Sequence, residues 1–396
     1  MLRVSLQQLT LVILVILAPF LSGCWDANEL GDLGIVFGIA IDKADNGEYL
    51  VTTQVINASE IGEQETSERA PAVTFTESGA SVSEALRRLA TRTPKQFYLF
   101  HLRFIIISED MAKEEGLASF IDLLSRHDEM RTDFSMAVAR NTRAKDILTL
   151  FTRLEKIPAN SLFATLELSE TVWAPTVATF LDELIIDMEL IGKEPVLVGV
   201  EIIGDEQEGK LPENVAKIEP DTLINFMTIG AFKEDKLCYW MTEDQSKGFN
   251  YIVGNVETTL GVIPVDESLI SVEILNADSE LVVNVNKGEI TIDITITGDG
   301  NIVEVKGDID LSDPKEIEKI NQVGRDRIKE VVVDSLAEAQ KHQADVFGFG
   351  ELVRKEDPEL WKQLKDKWGD EFAELNTSVN VELSIEYTGN RYKPIN

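Results

Sequence analysis

The chain has 396 residues, of which 44% are hydrophobic and 27% are charged, so it is long enough for two or three domains with cores of their own. Its 37 Lys and Arg residues against 70 Asp and Glu residues give a formal net charge of −33, which repels nucleic-acid phosphates and anionic lipid headgroups. We therefore expect no nucleic acid among its partners, and no attachment to a membrane by charge. Two cysteines exclude a disulfide-stapled scaffold, and the three scattered histidines give no zinc-ligand spacing.

Residues 1–23 have the pattern of a secretory signal peptide. Arg3 precedes an apolar run, Leu9–Leu21, that is too short to span a bilayer. The run ends in Leu21-Ser22-Gly23-Cys24, a bacterial lipobox, in which small residues give the signal peptidase access to the bond before the cysteine. We predict that the thiol of Cys24 carries a diacylglyceryl group, whose two acyl chains anchor the mature chain. The alternative is an ordinary signal peptide with a chance cysteine at its end.

Residues 24–194 are predicted to form an N-terminal α+β domain. Two apolar stretches on either side of Asp45-Asn46-Gly47 indicate a β-hairpin. The capping box Ser81-Val82-Ser83-Glu84 starts a helix. Apolar periodicity further predicts strands at 104–107 and 134–139 and helices at 117–124 and 147–154, the second ending at Pro158.

Residues 195–277 are predicted to form a small, mostly β middle domain. Val196–Gly204 is typical of a strand, and Lys233-Glu234-Asp235-Lys236 lies between two apolar runs as a hairpin turn does. Helical signals are limited to a turn or two over 243–248. Cys238 lies in the apolar stretch KLCYWM, so we expect it to pack in the core.

Residues 278–396 are predicted to form a C-terminal α+β domain. Apolar and polar residues alternate over 290–296 and 379–387, which favours antiparallel strands that cover a core on one side. Gly298-Asp299-Gly300-Asn301 reads as a hairpin turn between strands. The three segments together predict an α+β, three-domain elongated protein, with helices packed on mixed or antiparallel sheets.

Two Asp-Pro pairs in this last segment predict helix starts, because Asp caps a helix and Pro fits its first position. They are Asp313-Pro314 and Asp357-Pro358. The second helix carries Trp361 and Trp368 seven positions apart. We expect both indoles in the core, and a stripe that faces a partner protein is the alternative.

We find no pattern of a catalytic or metal site. Asp308–Asp313 lacks the glycine and the distal glutamate of a helix–loop–helix calcium site, and a helix cap explains it better. His127-Asp128-Glu129 has no nucleophile marked beside it, which favours a solvated helix end. Phe347–Val353 has glycines before a helix but not the lysine of a phosphate-binding loop. We predict no enzymatic activity, no cofactor and no metal.

The residues that follow the lipobox carry a family resemblance. Trp25, Asp26, Glu29 and Leu30 resemble the entry motif of the Ger(x)C family of spore germination lipoproteins, in which Cys-Trp-Asp is followed by Glu-Leu. Four later stretches resemble the same family in order along the chain: GIAIDKADNGEYLVTTQVI, HLRFIIISEDMAKEEGLASFIDLLSRHDEMR, GAFKEDKLCYWM and ADVFGFGELVRKEDPELWKQLKDKWGDEF.

The resemblance implies the C subunit of a nutrient germinant receptor, with three α+β domains and no known catalytic activity. Such a subunit is held by lipid on the outer face of the spore inner membrane and works with two integral membrane subunits, A and B. Two other hypotheses are a substrate-binding lipoprotein of an uptake system and a tethered wall hydrolase. The first usually has two α/β lobes whose parallel strands read as continuous apolar runs, and the alternating strands of this sequence argue against it. The second would need an acid/base pair in a cleft.

Overall fold

The computed structural model describes residues 32–57, 70–126, 130–286 and 288–386. These residues form two mixed β-sheets with helices packed on them, which confirms the predicted α+β class. The strands are β1 (Leu33–Lys43), β2 (Tyr49–Ile56), β3 (Ala72–Gly79), β4 (Gln96–Tyr98), β5 (Phe104–Ser108), β6 (Ser135–Ala139), β7 (Thr179–Phe180), β8 (Val196–Ile203), β9 (Leu223–Lys233), β10 (Lys236–Trp240), β11 (Val256–Val265), β12 (Ser268–Asn286), β13 (Glu289–Lys306) and β14 (Asn376–Glu386).

The helices lie between and after these strands. They are α1 (Val82–Arg88), α2 (Glu109–Glu114), α3 (Ala118–Arg126), α4 (Ala144–Thr149), α5 (Pro158–Trp173), α6 (Leu181–Glu189), α7 (Glu206–Gly209), α8 (Pro212–Ala216), α9 (Glu243–Val253), α10 (Pro314–Lys341), α11 (Phe349–Glu356), α12 (Pro358–Leu364) and α13 (Trp368–Ala373). Among the described residues, no helix is long and apolar enough to cross a membrane.

The first sheet follows the order β10-β9-β8-β6-β5-β1-β2-β3, with β4 beside β1 and β7 beside β6. Its central strands β1, β5, β6 and β8 pair in parallel, and β5 and β6 are buried along their whole length. A strand covered on both faces needs apolar side chains on both, which explains the uninterrupted FIII of β5. The outer strands pair antiparallel, including the two predicted hairpins, β1–β2 and β9–β10.

Helices cover this sheet on both faces. Helices α1, α2, α3 and α6 contribute to one apolar cluster, and α4 and α5 contribute to another. The helix predicted to run to residue 154 and end at Pro158 is wrong in its bounds. Helix α4 ends at Thr149, Leu154 is 96% exposed, and Pro158 is the first residue of α5. Proline fits a first helical turn because its missing N–H has no partner there in any case.

The second sheet has the order β11-β12-β13-β14. The prediction of antiparallel strands is correct for β11–β12–β13 and wrong for β14, which pairs with β13 in parallel. The alternation of apolar and polar residues indicates that one face of a strand is buried, but it does not indicate whether neighbouring strands run parallel or antiparallel. Residues 298–301 were predicted as a turn, yet they lie inside β13 between β12 and β14. A Cβ on Gly300 would lie 3.1 Å from Val272 Cγ1, so close packing explains the glycine there.

The strands of the predicted middle domain, 195–277, are divided between the two sheets. Strands β8, β9 and β10 extend the first sheet, whereas β11 and the first half of β12 begin the second. Periodicity identifies the strands of this segment and does not identify the strands with which they pair. The division into three domains stays a prediction.

The largest apolar cluster joins the two sheets. It combines the inner face of the second sheet, helices α9 to α13, and residues of the first sheet such as Val196, Ile229 and Ala231. The two parts of the chain therefore share one core at their junction.

Candidate functional site at the junction of the two sheets

The predicted site residues Cys24, Trp25, Asp26, Glu29 and Leu30 lie outside the described residues, as does the His127-Asp128-Glu129 group. The first described strand, β1, begins nine positions after Cys24. Among the described residues, no group of His, Cys, Asp and Glu has the geometry of a metal site.

Cys238 is exposed, so the prediction that it packs in the core is wrong. Strand β10 has a register shift between Leu237 and Tyr239, which pack in different apolar clusters, and Cys238 is the extra residue at this irregularity. The Cys238 sulfur lies 3.5 Å from His342 Nδ1, and the His342 ring stacks on Tyr239 with centroids 4.4 Å apart. Partial burial raises the pKa of the Cys238 thiol, which makes it a poor nucleophile at neutral pH.

The most distinctive polar group at the junction is the carboxylate of Asp345, which is 2% exposed. Its Oδ1 accepts the backbone N–H groups of Gly348 and Phe349 at 3.0 and 3.1 Å. Its Oδ2 accepts the backbone N–H of Gly350 at 2.8 Å and the indole N–H of Trp368 at 2.9 Å. One side chain thus holds the start of α11 and the start of α13.

Burial raises the pKa of the Asp345 carboxyl to about 6, and its four N–H donors oppose that rise because they favour the charged form. The group is therefore ionised at pH 7. Its charge also lies at the N-terminal end of α11, where the helix dipole stabilises an anion.

Two glycines bring the first sheet into contact with these helices. Gly192, at φ +99, follows α6, and Gly350 lies in the first turn of α11. A Cβ built on Gly350 would lie 2.6 Å from Gly192 Cα, 2.7 Å from Trp368 Nε1 and 2.8 Å from Trp361 Cη2. The two backbones approach each other so closely that only glycine fits at either position.

The tryptophan pair lies in this contact. Trp361 and Trp368 are 4% and 6% exposed, with their ring centroids 5.2 Å apart in an edge-to-face arrangement. The structure therefore places both indoles in the core, as predicted, and does not leave them as a stripe for a partner.

A second contact runs alongside the glycines. The Glu194 N–H donates to the Asp345 carbonyl oxygen at 2.8 Å, and the Lys233 ammonium donates to the Gln343 carbonyl oxygen at 2.9 Å. The Glu194 carboxylate accepts the Glu234 N–H at 2.6 Å. Burial raises the pKa of Glu194 to about 7, so this group exchanges a proton near neutrality.

These contacts line an open cleft of about 670 Å³ between the first sheet and α11–α13. Its wall carries both signs of charge, with Lys193, Lys233 and Lys367 opposite carboxylates such as Glu194 and Asp366. The arrangement joins two parts of the chain with a buried, fully hydrogen-bonded carboxylate. We name the set Gly192, Glu194, Asp345, Gly350 and Trp368 the junction clasp.

Sequence reasoning missed the clasp. The glycines of Phe347–Val353 invite comparison with a phosphate-binding loop, and that comparison does not indicate their contact with the first sheet. Asp345 lies three residues before Gly348, the N-cap of α11, so the spacing of a helix cap does not identify it. Nothing in the local pattern of Gly192 points to its distant contact.

Comparisons with known proteins cover nearly the whole chain. The family described as "Spore germination protein N-terminal domain" matches residues 26–202, and the one described as "Spore germination B3/ GerAC like, C-terminal" matches residues 227–389. Spore germination protein KC of Bacillus subtilis (strain 168) is 30% identical over 100% of this chain and 98% of its own length. Spore germination protein A3 of the same strain is 26% identical over 95% of this chain and 97% of its own length.

A solved structure, the crystal structure of the GerBC protein, has the same fold. It superposes with a TM-score of 0.58, covering 88% of this chain and 96% of that chain, at 15% sequence identity. The matches extend through both sheets and through the residues of the junction clasp. The chain belongs to the Ger(x)C family of spore germination proteins.

Proposed function

We propose that this protein is a lipid-anchored, non-catalytic C subunit of a nutrient germinant receptor. It acts with integral membrane A and B subunits on the outer face of the spore inner membrane. The observation that carries the proposal is the end-to-end similarity to spore germination proteins KC and A3. The lipobox supports it, because Cys24 lies two positions before the matched N-terminal domain begins.

The anchor follows from the chemistry of Cys24. A thioether-linked diacylglyceryl group buries two acyl chains, each methylene contributing about 0.8 kcal/mol, and two chains hold a protein where one is marginal. The acidic remainder of the chain then stays beside the bilayer as a folded body joined by the core between its two sheets.

The junction clasp supports a structural role for its titratable groups. Both oxygens of Asp345 accept hydrogen bonds from the protein itself. The single described thiol, Cys238, has a raised pKa. The hydrogen bonds of Asp345 hold the starts of α11 and α13 together, and catalysis is not needed to explain the placement of either group.

The anchor is tested by Cys24→Ala, with Cys238→Ser as the matched control because it removes the other cysteine. We expect Cys24→Ala to give an uncleaved precursor without acyl mass, and spores that respond poorly to nutrients. Cys238→Ser should be processed and should germinate as the wild type does. Normal germination of Cys24→Ala spores at native expression would contradict the anchoring role.

The partner proposal is tested by capturing the full-length protein from detergent-solubilised spore membranes. We expect to identify a multispan permease-like subunit and a second integral membrane subunit by mass spectrometry. Recovery of a transport ATPase with its permease would instead support a substrate-binding lipoprotein of an uptake system.

A further inference from the structure

The charge of this acidic chain is distributed unevenly. Residues 85–108 contain no Asp or Glu, although the whole chain has 70 such residues. The same segment contains five exposed cationic side chains, which are Arg87, Arg88, Arg92, Lys95 and Arg103. We name these five residues together with Tyr98 and Phe100 the basic face.

Ion pairs neutralise part of the basic face. Arg88 pairs with Glu84 at 2.7 Å and Arg92 pairs with Glu77 at 2.5 Å. In the described part of the chain, Arg87, Lys95 and Arg103 have no carboxylate within the 4.0 Å of an ion pair. Three cations therefore lack a carboxylate partner, although the Arg103 guanidinium lies over the Phe163 ring of α5, 5.2 Å from its centroid.

Aromatic side chains lie among these cations. The Tyr98 ring lies 5.1 Å from that of Phe100 and 5.7 Å from that of His101, measured between centroids. Phe100 is 38% exposed although it is a large apolar residue. Aromatic rings beside Lys and Arg are the composition that membrane–water interfaces favour.

Part of the segment surrounds a groove on the protein surface. A groove of about 330 Å³ connects the two ends of the turn after α1, with Leu86 and Ala90 on one wall and Lys95 and Phe97 on the other. The backbone N–H of Arg103 donates to the Phe37 carbonyl oxygen of β1 at 2.9 Å, two positions after Ile35, the last residue of β1 that pairs with β4.

This surface lies where the chain leads toward Cys24. Strand β4 pairs in parallel with the first residues of β1, with Leu33 opposite Gln96 and Ile35 opposite Tyr98. Nine positions separate Cys24 from Leu33, and an extended chain of that length spans at most about 30 Å. A lipid on Cys24 therefore keeps the basic face within about that distance of the bilayer.

We propose that the basic face lies against the membrane, with its cations bound to the phosphates of anionic lipid headgroups and its exposed aromatic rings at the headgroup level. This inference rests on the proposed anchor at Cys24. The net charge of −33 repels anionic headgroups from the protein as a whole, but its effect at the basic face is limited, because charges more than about 8 Å away are largely screened at physiological ionic strength. The contact orients the protein on the bilayer, which a flexible lipid tether alone does not do.

The test uses the full, acylated protein in vesicles of phosphatidylcholine with or without phosphatidylglycerol. An environment-sensitive fluorophore is attached at Gln96→Cys in a Cys238→Ser background, and brominated lipids serve as quenchers. The comparison label is at Val333→Cys, an exposed position on α10. We expect quenching at position 96 only in vesicles with phosphatidylglycerol, and none at position 333.

The charge dependence is tested by reversing the three unpaired cations, Arg87→Glu, Lys95→Glu and Arg103→Glu. The matched control makes the same change in net charge at Lys306, Lys329 and Lys365, which are exposed residues outside the basic face. Each cation near an anionic surface strengthens binding about fivefold, so three give about a hundredfold. The first variant should lose quenching at position 96 while it still floats with the vesicles, and the control should keep it.

Flotation and quenching separate the two proposals. Flotation without quenching at position 96, or quenching that survives the triple reversal, would overturn the basic face and leave the anchor intact. A chain that carries no acyl group would overturn the anchor. Sedimentation of that chain with phosphatidylglycerol vesicles then tests the basic face alone, and equal binding of the triple variant and wild type would overturn it.

Discussion

The close approach of Gly192 and Gly350 predicts a large effect from one added methyl group. A Cβ at position 350 would lie 2.6 Å from Gly192 Cα and 2.8 Å from Trp361 Cη2. Both distances are shorter than the contact distance of non-bonded carbon atoms. Overpacking a filled core lowers the free energy of unfolding by about 1–3 kcal/mol. Replacing glycine by alanine in a helix raises it by at most about 1 kcal/mol. The obstructing atoms are backbone and buried ring, so we expect Gly350→Ala to lower the free energy of unfolding by about 2 kcal/mol.

Gly261→Ala is the matched control, because it makes the same chemical change where no atom lies within 4 Å of the new Cβ. Urea unfolding followed by tryptophan fluorescence gives both free energies. We expect a lower midpoint with an unchanged slope for Gly350→Ala, and a change within about 0.5 kcal/mol for Gly261→Ala. Equal stability of Gly350→Ala and wild type would refute the view that this contact is packed to the limit.

Three further outcomes follow from buried or partly buried groups. The pKa of Glu194 is raised to about 7 in the folded chain, so its contribution to stability is lost as the pH rises from about 4.5 to 7. The free energy of unfolding of Glu194→Gln, relative to that of wild type, should therefore rise by about 1 to 2 kcal/mol between pH 5 and pH 8 in urea unfolding. Parallel pH profiles of the two proteins would contradict this. The Asn250 amide donates to the carbonyl oxygens of Ala174 and Thr176 at 2.9 Å each. Because Asn250→Ala leaves two buried acceptors unpaired, we expect a loss of about 2–4 kcal/mol by the same assay, and a loss below about 1 kcal/mol would count against it. The raised pKa of Cys238 should make its alkylation by iodoacetamide slower than that of glutathione at pH 8, and a faster rate would show that the thiolate is stabilised.

Local signals in the sequence predicted the elements that local physics determines. Asp313 does cap α10, with its side chain accepting the Lys315 N–H at 2.9 Å, and Pro358 does begin α12. The alternation in β13 predicted its buried face, on which Ile292, Ile294 and Ile296 are at most 1% exposed. Each of these features depends on neighbours within a few residues along the chain.

Contacts between distant residues could not be predicted in this way. The pairing of β8 with β6 joins the predicted middle domain to the first sheet. The local pattern of Val196–Ile203 predicts a strand but does not predict that β6 is its neighbour. The exposure of Cys238 depends on the register shift between Leu237 and Tyr239, which the pairing of β10 with β9 creates. The junction clasp likewise joins Gly192 to Gly350 across more than a hundred residues of sequence.

The parallel pairing of β13 with β14 sets an order for folding. Helices α10–α13 lie between the two strands in the chain, so β13 keeps one open edge until all of these helices have been synthesised. An uncovered edge can pair with another nascent copy, and closing a long loop is slow. Helix formation over 314–373 shortens the span of the segment that joins β13 to β14, so the capped start of α10 favours the pairing that covers this edge.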